Sequence, residues 1–311
     1  MQRVLIAIGG NSILPDPARA TLADELRAIR TTCEGLAGVV AAGWQLALTH
    51  GNGPQVGFDL RRAELGRGVG PELTLDTIDA GTQGSLGYLI QQALGNALRA
   101  RGLDDRVVSV VTQVLVDPED PALRFPQKPV GAFYSEAEAR ARITELGWNM
   151  VLERGRGWRR VVPSPRPTRV LEAWAVEGLL ASGAVVVACG GGGIPVVERD
   201  GDMVGVPGVV DKDRASALLA GVVGARVVVF STGVSELRLD YGTPEERPLA
   251  RVSAAEAQVY LDQGQFPPGS MGPKIEAALD FLRLGGERAM ITSPECIEAA
   301  LRGDAGTAIT P

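Results

Sequence analysis

The chain has 311 residues, of which 45% are hydrophobic and 22% are charged, and its formal net charge is −6. This length allows two lobes, each with its own buried core, and the composition is typical of a globular enzyme. The negative charge argues against nucleic acid or an anionic membrane as a partner, and no run approaches the roughly 20 apolar residues of a membrane span. Cys33, Cys189 and Cys296 are far apart and lack paired metal-ligand spacing. Since no secretory signal is evident either, we expect reduced thiols in a cytoplasmic protein.

Short apolar runs alternate with longer stretches of helical periodicity along the chain. In chain order the pattern predicts a strand at 4–8, a helix at 21–42, a strand at 44–48, a helix at 73–101 and a strand at 107–116. It then predicts a helix at 170–181, a strand at 184–189, a helix at 211–221, a strand at 226–230 and a helix at 271–284. Continuous Val, Ile and Leu strands between helices indicate an α/β fold with a mostly parallel sheet covered on both faces.

The segment 118–167 interrupts this alternation. It is rich in Pro, Gly, Arg and aromatic residues, and it is too long for a simple connection between layers. Ser135 and Glu138 form a capping-box pattern that predicts a small helix at 135–147. We therefore expect an inserted subdomain that projects from the sheet and carries Lys128.

Glycine-rich loops follow three of the predicted strands, at 9–12, 50–53 and 190–193. Ligands of parallel α/β sheets bind at the carboxyl ends of the strands, where glycines let backbone N–H groups approach an anion. Any one of these loops could be a simple tight turn, but the three together favour phosphate binding. Their spacing matches neither a P-loop nor a dinucleotide-binding fingerprint.

Only three of the 31 Lys and Arg residues are lysines, namely Lys128, Lys212 and Lys274. Base composition could have thinned lysine at random, but all three lie beside Gly or Pro turns. Lysine presents a compact ammonium where arginine presents a planar fork. We interpret the three as candidates for a phosphoryl-transfer site, because that chemistry needs mainly alignment and positive charge.

Two further polar residues lie beside these motifs. Asp211 precedes Lys212 at a predicted helix start, where it can be a plain N-cap or a carboxylate that orients the ammonium. His50, the only histidine, can act as a base or hydrogen-bond within its loop, and the second role is favoured. Without a second His or a Cys/His cluster, neither a histidine-based metal site nor a Ser-His-Asp triad is expected.

Seven stretches in one order together resemble the amino acid kinase superfamily, and within it the carbamate kinases. They lie at 8–14, 49–57, 128–134, 162–167, 189–195, 210–213 and 269–274 and span nearly the whole chain. The most specific are Thr-His-Gly-Asn-Gly-Pro-Gln-Val-Gly at 49–57 and Lys-Pro-Val-Gly at 128–131. Ser12 and Ala132 depart from residues common in the family, but the lysines and the glycine loops are intact.

The resemblance implies an open αβα sandwich of the amino acid kinase type. It implies an acceptor lobe at 1–210, which includes a protruding subdomain at about 118–167, and a nucleotide-binding lobe at 211–311. It further implies reversible phosphoryl transfer between ATP and carbamate, giving ADP and carbamoyl phosphate, with Mg²⁺ bound through the nucleotide phosphates. A cytoplasmic homodimer that acts in arginine metabolism would be typical, and the direction of the reaction and its pathway stay open.

Residue roles follow from the same resemblance. The transferring phosphoryl group and carbamate would be held by Gly9, Gly10, Asn11, Gly51 and Asn52. Lys128 would reach over that pocket, and Asp211 would organise Lys212 and Lys274, which neutralise charge on the polyphosphate. The nucleotide-binding residues would be Lys212, Ser231, Thr232, Tyr241, Met271 and Lys274. No residue is assigned as a direct metal ligand.

Two other functions compete with this interpretation. A sister kinase that forms a different acyl phosphate, such as acetylglutamate kinase, needs a pocket for a larger acceptor, and the lysine-bearing insertion argues against it. A kinase-like module that only senses a nucleotide or an amino acid would have lost charged site residues, and none is missing.

Overall fold

The computed structural model of the protein describes residues 2–14, 21–267, 269 and 271–311, and only the backbone of Asn11. Its helices are α1 (Leu22–Ala41), α2 (Gly53–Leu65), α3 (Leu75–Ala100), α4 (Pro121–Arg124), α5 (Glu136–Leu146), α6 (Ala173–Ala181), α7 (Lys212–Val222), α8 (Ala254–Asp262), α9 (Gly272–Arg283) and α10 (Ile297–Arg302). Its strands are β1 (Arg3–Ile8), β2 (Gln45–His50), β3 (Val107–Ser109), β4 (Gln113–Val116), β5 (Lys128–Tyr134), β6 (Met150–Glu153), β7 (Gly157–Val162), β8 (Pro167–Val170), β9 (Val185–Val187), β10 (Ile194–Arg199), β11 (Asp202–Gly205), β12 (Val227–Ser231), β13 (Leu237–Leu239), β14 (Arg247–Leu249), β15 (Arg251–Ser253), β16 (Arg288–Thr292) and β17 (Thr307–Thr310).

The central sheet has the strand order β15-β17-β16-β12-β1-β2-β9-β3. Its neighbouring strands are parallel except for the antiparallel pair β16–β17. Successive residues of β1 enter opposite cores, with Leu5 and Ala7 on one face and Val4 and Ile6 on the other. Helices α1, α3 and α10 cover the face of Val4 and Ile6, and α6, α7 and α9 cover the opposite face. The predicted α/β fold with a mostly parallel sheet and helices on both sides is confirmed.

The insertion forms a small unit of its own beside α2. Strands β5, β7 and β6 make an antiparallel sheet, and α5 lies between β5 and β6 in the chain. Helix α5 begins with the predicted capping box between Ser135 and Glu138, and it ends at Gly147 in the left-handed conformation. A Cβ atom on Gly57 of α2 would lie 3.1 Å from the Cα atom of Gly131 in β5. This close approach seats the protruding subdomain on α2, with Lys128 at the first position of β5.

The single strand predicted at 107–116 is wrong, because two sheets share this stretch. β3 is the edge strand of the central sheet, whereas β4 belongs to a second sheet with the order β11-β10-β4-β8. Between them the backbone N–H of Thr112 donates to Gln83 Oε1 at 2.7 Å, and the Thr112 hydroxyl donates to the Val110 carbonyl at 2.8 Å. A buried glutamine of α3 therefore draws the backbone out of the central sheet. The helix predicted at 170–181 likewise begins only at Ala173, because Val170 ends β8.

Candidate active site

The carboxyl ends of β1, β2 and β9 bring the three glycine loops together. These strands are neighbours in the sheet, and the backbone N–H of Gly51 donates to the carbonyl of Ile8 at 3.0 Å. A Cβ atom on Gly51 would lie 3.3 Å from the backbone nitrogen of Gly10. A Cβ atom on Gly9 would lie 2.8 Å from the carbonyl oxygen of Ser231. A side chain at Gly9 would therefore force neighbouring backbone to move, and one at Gly51 would be tightly packed against it.

The third glycine loop is shaped by two side chains of the 49–57 motif. A Cβ atom on Gly190 would lie 2.4 Å from His50 Nε2, and one on Gly191 would lie 2.2 Å from Asn52 Nδ2. Gly191 also has a φ of 70°, which side chains rarely adopt. Burial lowers the pKa of His50 to about 4, so the ring is neutral at pH 7, and its Nδ1 lies 3.1 Å from the Gly51 carbonyl oxygen. This geometry agrees with the favoured positioning role of His50.

Asn52 connects this loop to α3. Its backbone stands at the N-cap of α2, yet its side chain makes no capping bond. Instead the amide nitrogen donates to Asp79 Oδ1 at 3.1 Å and to Thr82 Oγ1 at 2.8 Å. Burial raises the pKa of Asp79 to about 7, although the bond from Asn52 and the ammonium of Lys128 oppose the shift. Sequence reasoning missed Asp79, since one acidic residue in a helix carries no signal of burial.

Lys212 and Lys274 meet at one carboxylate. Lys212 Nζ donates to Asp213 Oδ1 at 2.5 Å, and Lys274 Nζ donates to Asp213 Oδ2 at 2.8 Å. Burial raises the pKa of Asp213, but the two ammonium groups outweigh it and hold the pKa well below its usual range. The carboxylate is therefore ionised at neutral pH, and it fixes two positive charges side by side. A Cβ atom on Gly51 would lie 3.8 Å from Lys212 Cδ, so the pair lies next to the glycine loops.

The expectation that Asp211 organises these two lysines is corrected by this geometry. Asp211 Oδ1 accepts the backbone N–H groups of Asp213 and Arg214 at 3.0 and 3.3 Å, and so it caps α7. The helix then directs the side chain of its second residue, Asp213, toward the lysines. Sequence reasoning missed Asp213, because the residue that caps the helix and the residue that faces the lysines are separated only by where the helix begins.

Lys128 approaches the same region from the protruding subdomain. Its ammonium donates to the Val210 carbonyl at 3.0 Å and lies 3.8 Å from Asp211 Oδ2. Burial lowers the pKa of Lys128, while Asp211 and Asp79 oppose that shift. All three lysines thus contact or belong to the segment 210–213.

Ser231, one of the nucleotide-side candidates, ends β12, and Ser293 follows β16. The hydroxyl oxygens of Ser231 and Ser293 are buried and have no hydrogen-bond partner among the described residues. Ser231 is one of the residues predicted for the nucleotide side, whereas Ser293 was missed because a lone serine after a strand carries no distinctive sequence signal. Thr232 continues from β12, and Met271 immediately precedes α9, which carries Lys274. Tyr241 is exposed in the turn between β13 and β14.

Within the described ranges, no group of three or more His, Cys, Asp or Glu side chains is placed to hold a metal ion. The charged atoms of the site are ammonium groups and the carboxylates that bind them. Such a set suits an anionic ligand that brings its own cation. No helix in the described part of the chain is long and apolar enough to cross a membrane.

Comparisons with known proteins agree with this architecture. The amino acid kinase family profile matches residues 2–293. The chain is 47% identical to the carbamate kinase-like protein YahI of Escherichia coli strain K12, over 98% of both chains. It is 43% identical to the carbamate kinase of Pyrococcus horikoshii, over 100% of this chain and 99% of that protein. The structure of Giardia lamblia carbamate kinase bound to AMP-PNP superposes with a TM-score of 0.93 at 36% identity, covering 99% of this chain and 98% of that one.

The chain therefore belongs to the amino acid kinase family. Within that family its full-length relatives are the carbamate kinases, and the resemblance read from the sequence motifs is confirmed.

Proposed function

We propose that the protein is an ATP:carbamate phosphotransferase, which moves a phosphoryl group reversibly between ATP and carbamate. The observation that carries this proposal is the Asp213 carboxylate with Lys212 at 2.5 Å and Lys274 at 2.8 Å, beside the glycine loops of β1 and β2. Two fixed ammonium groups next to glycine backbone suit a phosphoryl group that carries charge on its equatorial oxygens. Full-length similarity to carbamate kinases favours this function over acetylglutamate kinase.

The chemistry fits the residues present. Carbamate is already an anionic oxygen nucleophile, so the reaction needs no general base. His50, which is buried and neutral, is not required to move a proton. Rate enhancement then comes from aligning the attacking and leaving oxygens and from neutralising negative charge between them. Lys212 and Lys274 supply the charge on one side, and Lys128 supplies it from the subdomain.

We assign the two sides of the site as the resemblance implies. Gly9, Gly10, Asn11, Gly51 and Asn52 hold carbamate and the transferring phosphoryl group, and only the backbone of Asn11 is described. Lys212, Lys274, Ser231, Thr232, Tyr241 and Met271 serve the nucleotide. The corresponding lobes are 1–210, with the subdomain at about 118–167, and 211–311. The contact of Gly9 with Ser231 supports this assignment, because it joins the two groups of residues.

Mg²⁺ fits this site as a partner of the nucleotide. When bound with the nucleotide, it would neutralise part of the phosphate charge during transfer. Both oxygens of Asp213 already accept ammonium groups, so this carboxylate serves the lysines. The chain's own residues then orient the polyphosphate through lysine charge and backbone N–H groups.

We also propose a homodimer in the cytoplasm, formed through the β3 edge of the central sheet. Tyr88, Val111 and Trp174 are exposed apolar side chains at this edge. Val111 follows β3, Tyr88 belongs to α3, which packs on β3, and Trp174 belongs to α6, which packs on β9. Light scattering should give a dimer mass, and Trp174→Asp should shift it toward the monomer. An unchanged mass would point to another interface.

A role in arginine metabolism is the pathway that the resemblance suggests.

The decisive experiment is a coupled assay of ATP formation from ADP, Mg²⁺ and carbamoyl phosphate. We expect turnover with carbamoyl phosphate and none above background with acetylglutamyl phosphate. Turnover with acetylglutamyl phosphate alone would establish the sister activity. No turnover with either donor, in protein that binds ADP, would favour a nucleotide-binding module.

A further inference from the structure

The carboxyl group of Asp79 is only half satisfied. Asp79 is 1% exposed on α3, and its Oδ1 accepts from Asn52 Nδ2 at 3.1 Å. Its second oxygen, Oδ2, is buried and has no hydrogen-bond partner in the described part of the chain. Leaving a buried acceptor unpaired costs about 1–3 kcal/mol, and more when the group is charged. A buried group that carries such a cost next to a candidate active site is a candidate for ligand binding.

No described neighbour of Asp79 donates a hydrogen bond to Oδ2. Asn52 Nδ2 divides its two hydrogens between Asp79 Oδ1 and Thr82 Oγ1. The Thr82 hydroxyl in turn donates to the Asp79 backbone carbonyl at 2.8 Å. The Lys128 ammonium is near enough to favour the ionised carboxylate, but it donates to Val210. Asp79 therefore offers an unpaired acceptor next to Asn52 and within the electrostatic reach of Lys128, two residues of the proposed site.

The acceptor substrate has a group that such an oxygen would recognise. Carbamate differs from acetate by an amino group in place of a methyl group, and only the amino group can donate a hydrogen bond. The glycine N–H groups and lysine ammoniums assigned to this site are donors, so they suit the anionic oxygens. Oδ2 of Asp79 is the unpaired acceptor beside them.

We propose that Asp79 Oδ2 accepts a hydrogen bond from the amino group of carbamate and of carbamoyl phosphate, which makes Asp79 a specificity-determining residue. This inference rests on the proposed carbamate kinase function. A site built to bond a substrate N–H discriminates strongly against an analogue that lacks it, because its own buried group is then left unpaired. Acetyl phosphate, with a methyl group in place of the amino group, is that analogue.

Asp79→Asn is the matched substitution. Its amide oxygen can keep the bond from Asn52, and its amide nitrogen then takes the place of Oδ2. The free acceptor becomes a donor while the shape is retained. We expect kcat/KM for carbamoyl phosphate to fall about 10- to 100-fold, as for loss of one charged hydrogen bond. The kcat/KM for acetyl phosphate should stay within about twofold of the wild-type value. Where acetyl phosphate turns over too slowly, its inhibition constant against carbamoyl phosphate gives the same comparison.

Two controls separate recognition from general structure. Asp76→Asn removes a carboxylate one turn earlier on α3 and should leave the ratio between the two donors unchanged. Thr82→Val removes the other acceptor of Asn52 and should lower kcat/KM for carbamoyl phosphate and for acetyl phosphate by the same factor. An equal fall for both donors in Asp79→Asn, or no fall, would overturn the inference. Absence of turnover by the wild-type protein would instead contradict the proposed function, so the two failures are distinguishable.

Discussion

The ammonium of Lys274 lies 2.8 Å from Asp213 Oδ2, although the two residues are 61 positions apart in the chain. The other oxygen of the same carboxylate accepts from Lys212. One buried anion therefore sets the distance between two cations on different helices, α7 and α9. Removing its charge should disturb both lysines at once.

Asp213→Asn tests this relationship. The amide keeps the shape of the side chain but loses the charge and one acceptor, so the two ammonium groups repel each other. We expect kcat for ATP formation to fall at least ~100-fold, the range seen when preorganised electrostatic groups are lost. Asp304→Asn, which changes an exposed carboxylate paired with Arg302, should leave kcat unchanged. Wild-type turnover in folded Asp213→Asn protein would contradict the role.

Replacing Lys212 or Lys274 by Arg tests why lysine persists in an arginine-rich chain. The Lys212 and Lys274 side chains are only 12% and 15% exposed, so a broader guanidinium has little room. We expect losses in kcat on the order of 100-fold, or about 3 kcal/mol of transition-state stabilisation. The control Arg140→Lys lies on the exposed face of α5, where it pairs with Glu136, and should be neutral. Near-normal turnover in both Arg variants would mean that base composition alone explains the three lysines.

Gly191→Ala should disable the site through Asn52. The new methyl group would lie 2.2 Å from Asn52 Nδ2, and the residue would also keep a φ of 70°. Gly201→Ala is the matched control, because Gly201 has a φ of 90° but nothing within 4 Å of its Cβ position. Both variants should lose on the order of 1 kcal/mol of stability, because each holds an alanine at a positive φ. Only Gly191→Ala should lose activity, by at least ~100-fold, in the assay of ATP formation; equal activity in the two variants would exclude the contact.

The fold was predictable from the sequence where local pattern and tertiary structure agree. The strand before Gly9 and the capping box at Ser135 are determined by side chains close in sequence, and both occur as expected. The stretch 107–116 failed because Gln83, more than 20 residues earlier, decides where its backbone leaves the sheet. Periodicity cannot report such a contact.

The lysines and glycine loops of the site were predictable from the sequence, but the pairing of the lysines was not. Motif order placed the lysines and glycine loops together, because carboxyl ends of parallel strands share one edge of the sheet. The sequence analysis assigned the lysines to Asp211, but Asp211 caps α7 and Asp213, two residues later, binds both ammonium groups. Asp79 was invisible because its meaning lies in burial and in an unpaired oxygen, which only the packed structure reveals.

The difference in stability between Asp79→Asn and the wild-type protein should depend on pH in a defined direction. Burial raises the pKa of Asp79 to about 7 from the usual 3.8, with Lys128 lowering it and Asp76 raising it. The folded state then binds this proton more tightly than the unfolded state does, so the wild-type protein loses stability as pH rises from about 4 to 7. The neutral variant is free of this loss. A tenfold change in proton affinity corresponds to about 1.4 kcal/mol. Above pH 7, the free energy of unfolding of Asp79→Asn should therefore exceed that of the wild-type protein by at most roughly 4 kcal/mol.

Urea unfolding of both proteins at pH 5 and pH 8 measures this difference. The gain of Asp79→Asn over wild type should be larger at pH 8, even though the variant discriminates less well between phosphoryl donors. A variant that is less stable than wild type at pH 8 would assign Asp79 to the scaffold instead of the substrate.

The final prediction concerns the movement of Lys128. Its ammonium is tied to the Val210 carbonyl at 3.0 Å, immediately before the residue that caps α7. We expect Lys128 to leave this carbonyl when it binds a phosphoryl group between the glycine loops, and the Pro- and Gly-rich flanks of 118–167 suit a segment that closes over a small site. Binding of ADP, Mg²⁺ and carbamoyl phosphate should then order the segment. We expect amide hydrogen exchange in 128–134 to slow about tenfold on binding, while the core strand at 3–8 stays equally slow with and without ligand. In Lys128→Met the ligands should still bind, but the protection of 128–134 should be lost. Exchange in 128–134 that does not respond to these ligands in the wild-type protein would show that Lys128 acts from a fixed position.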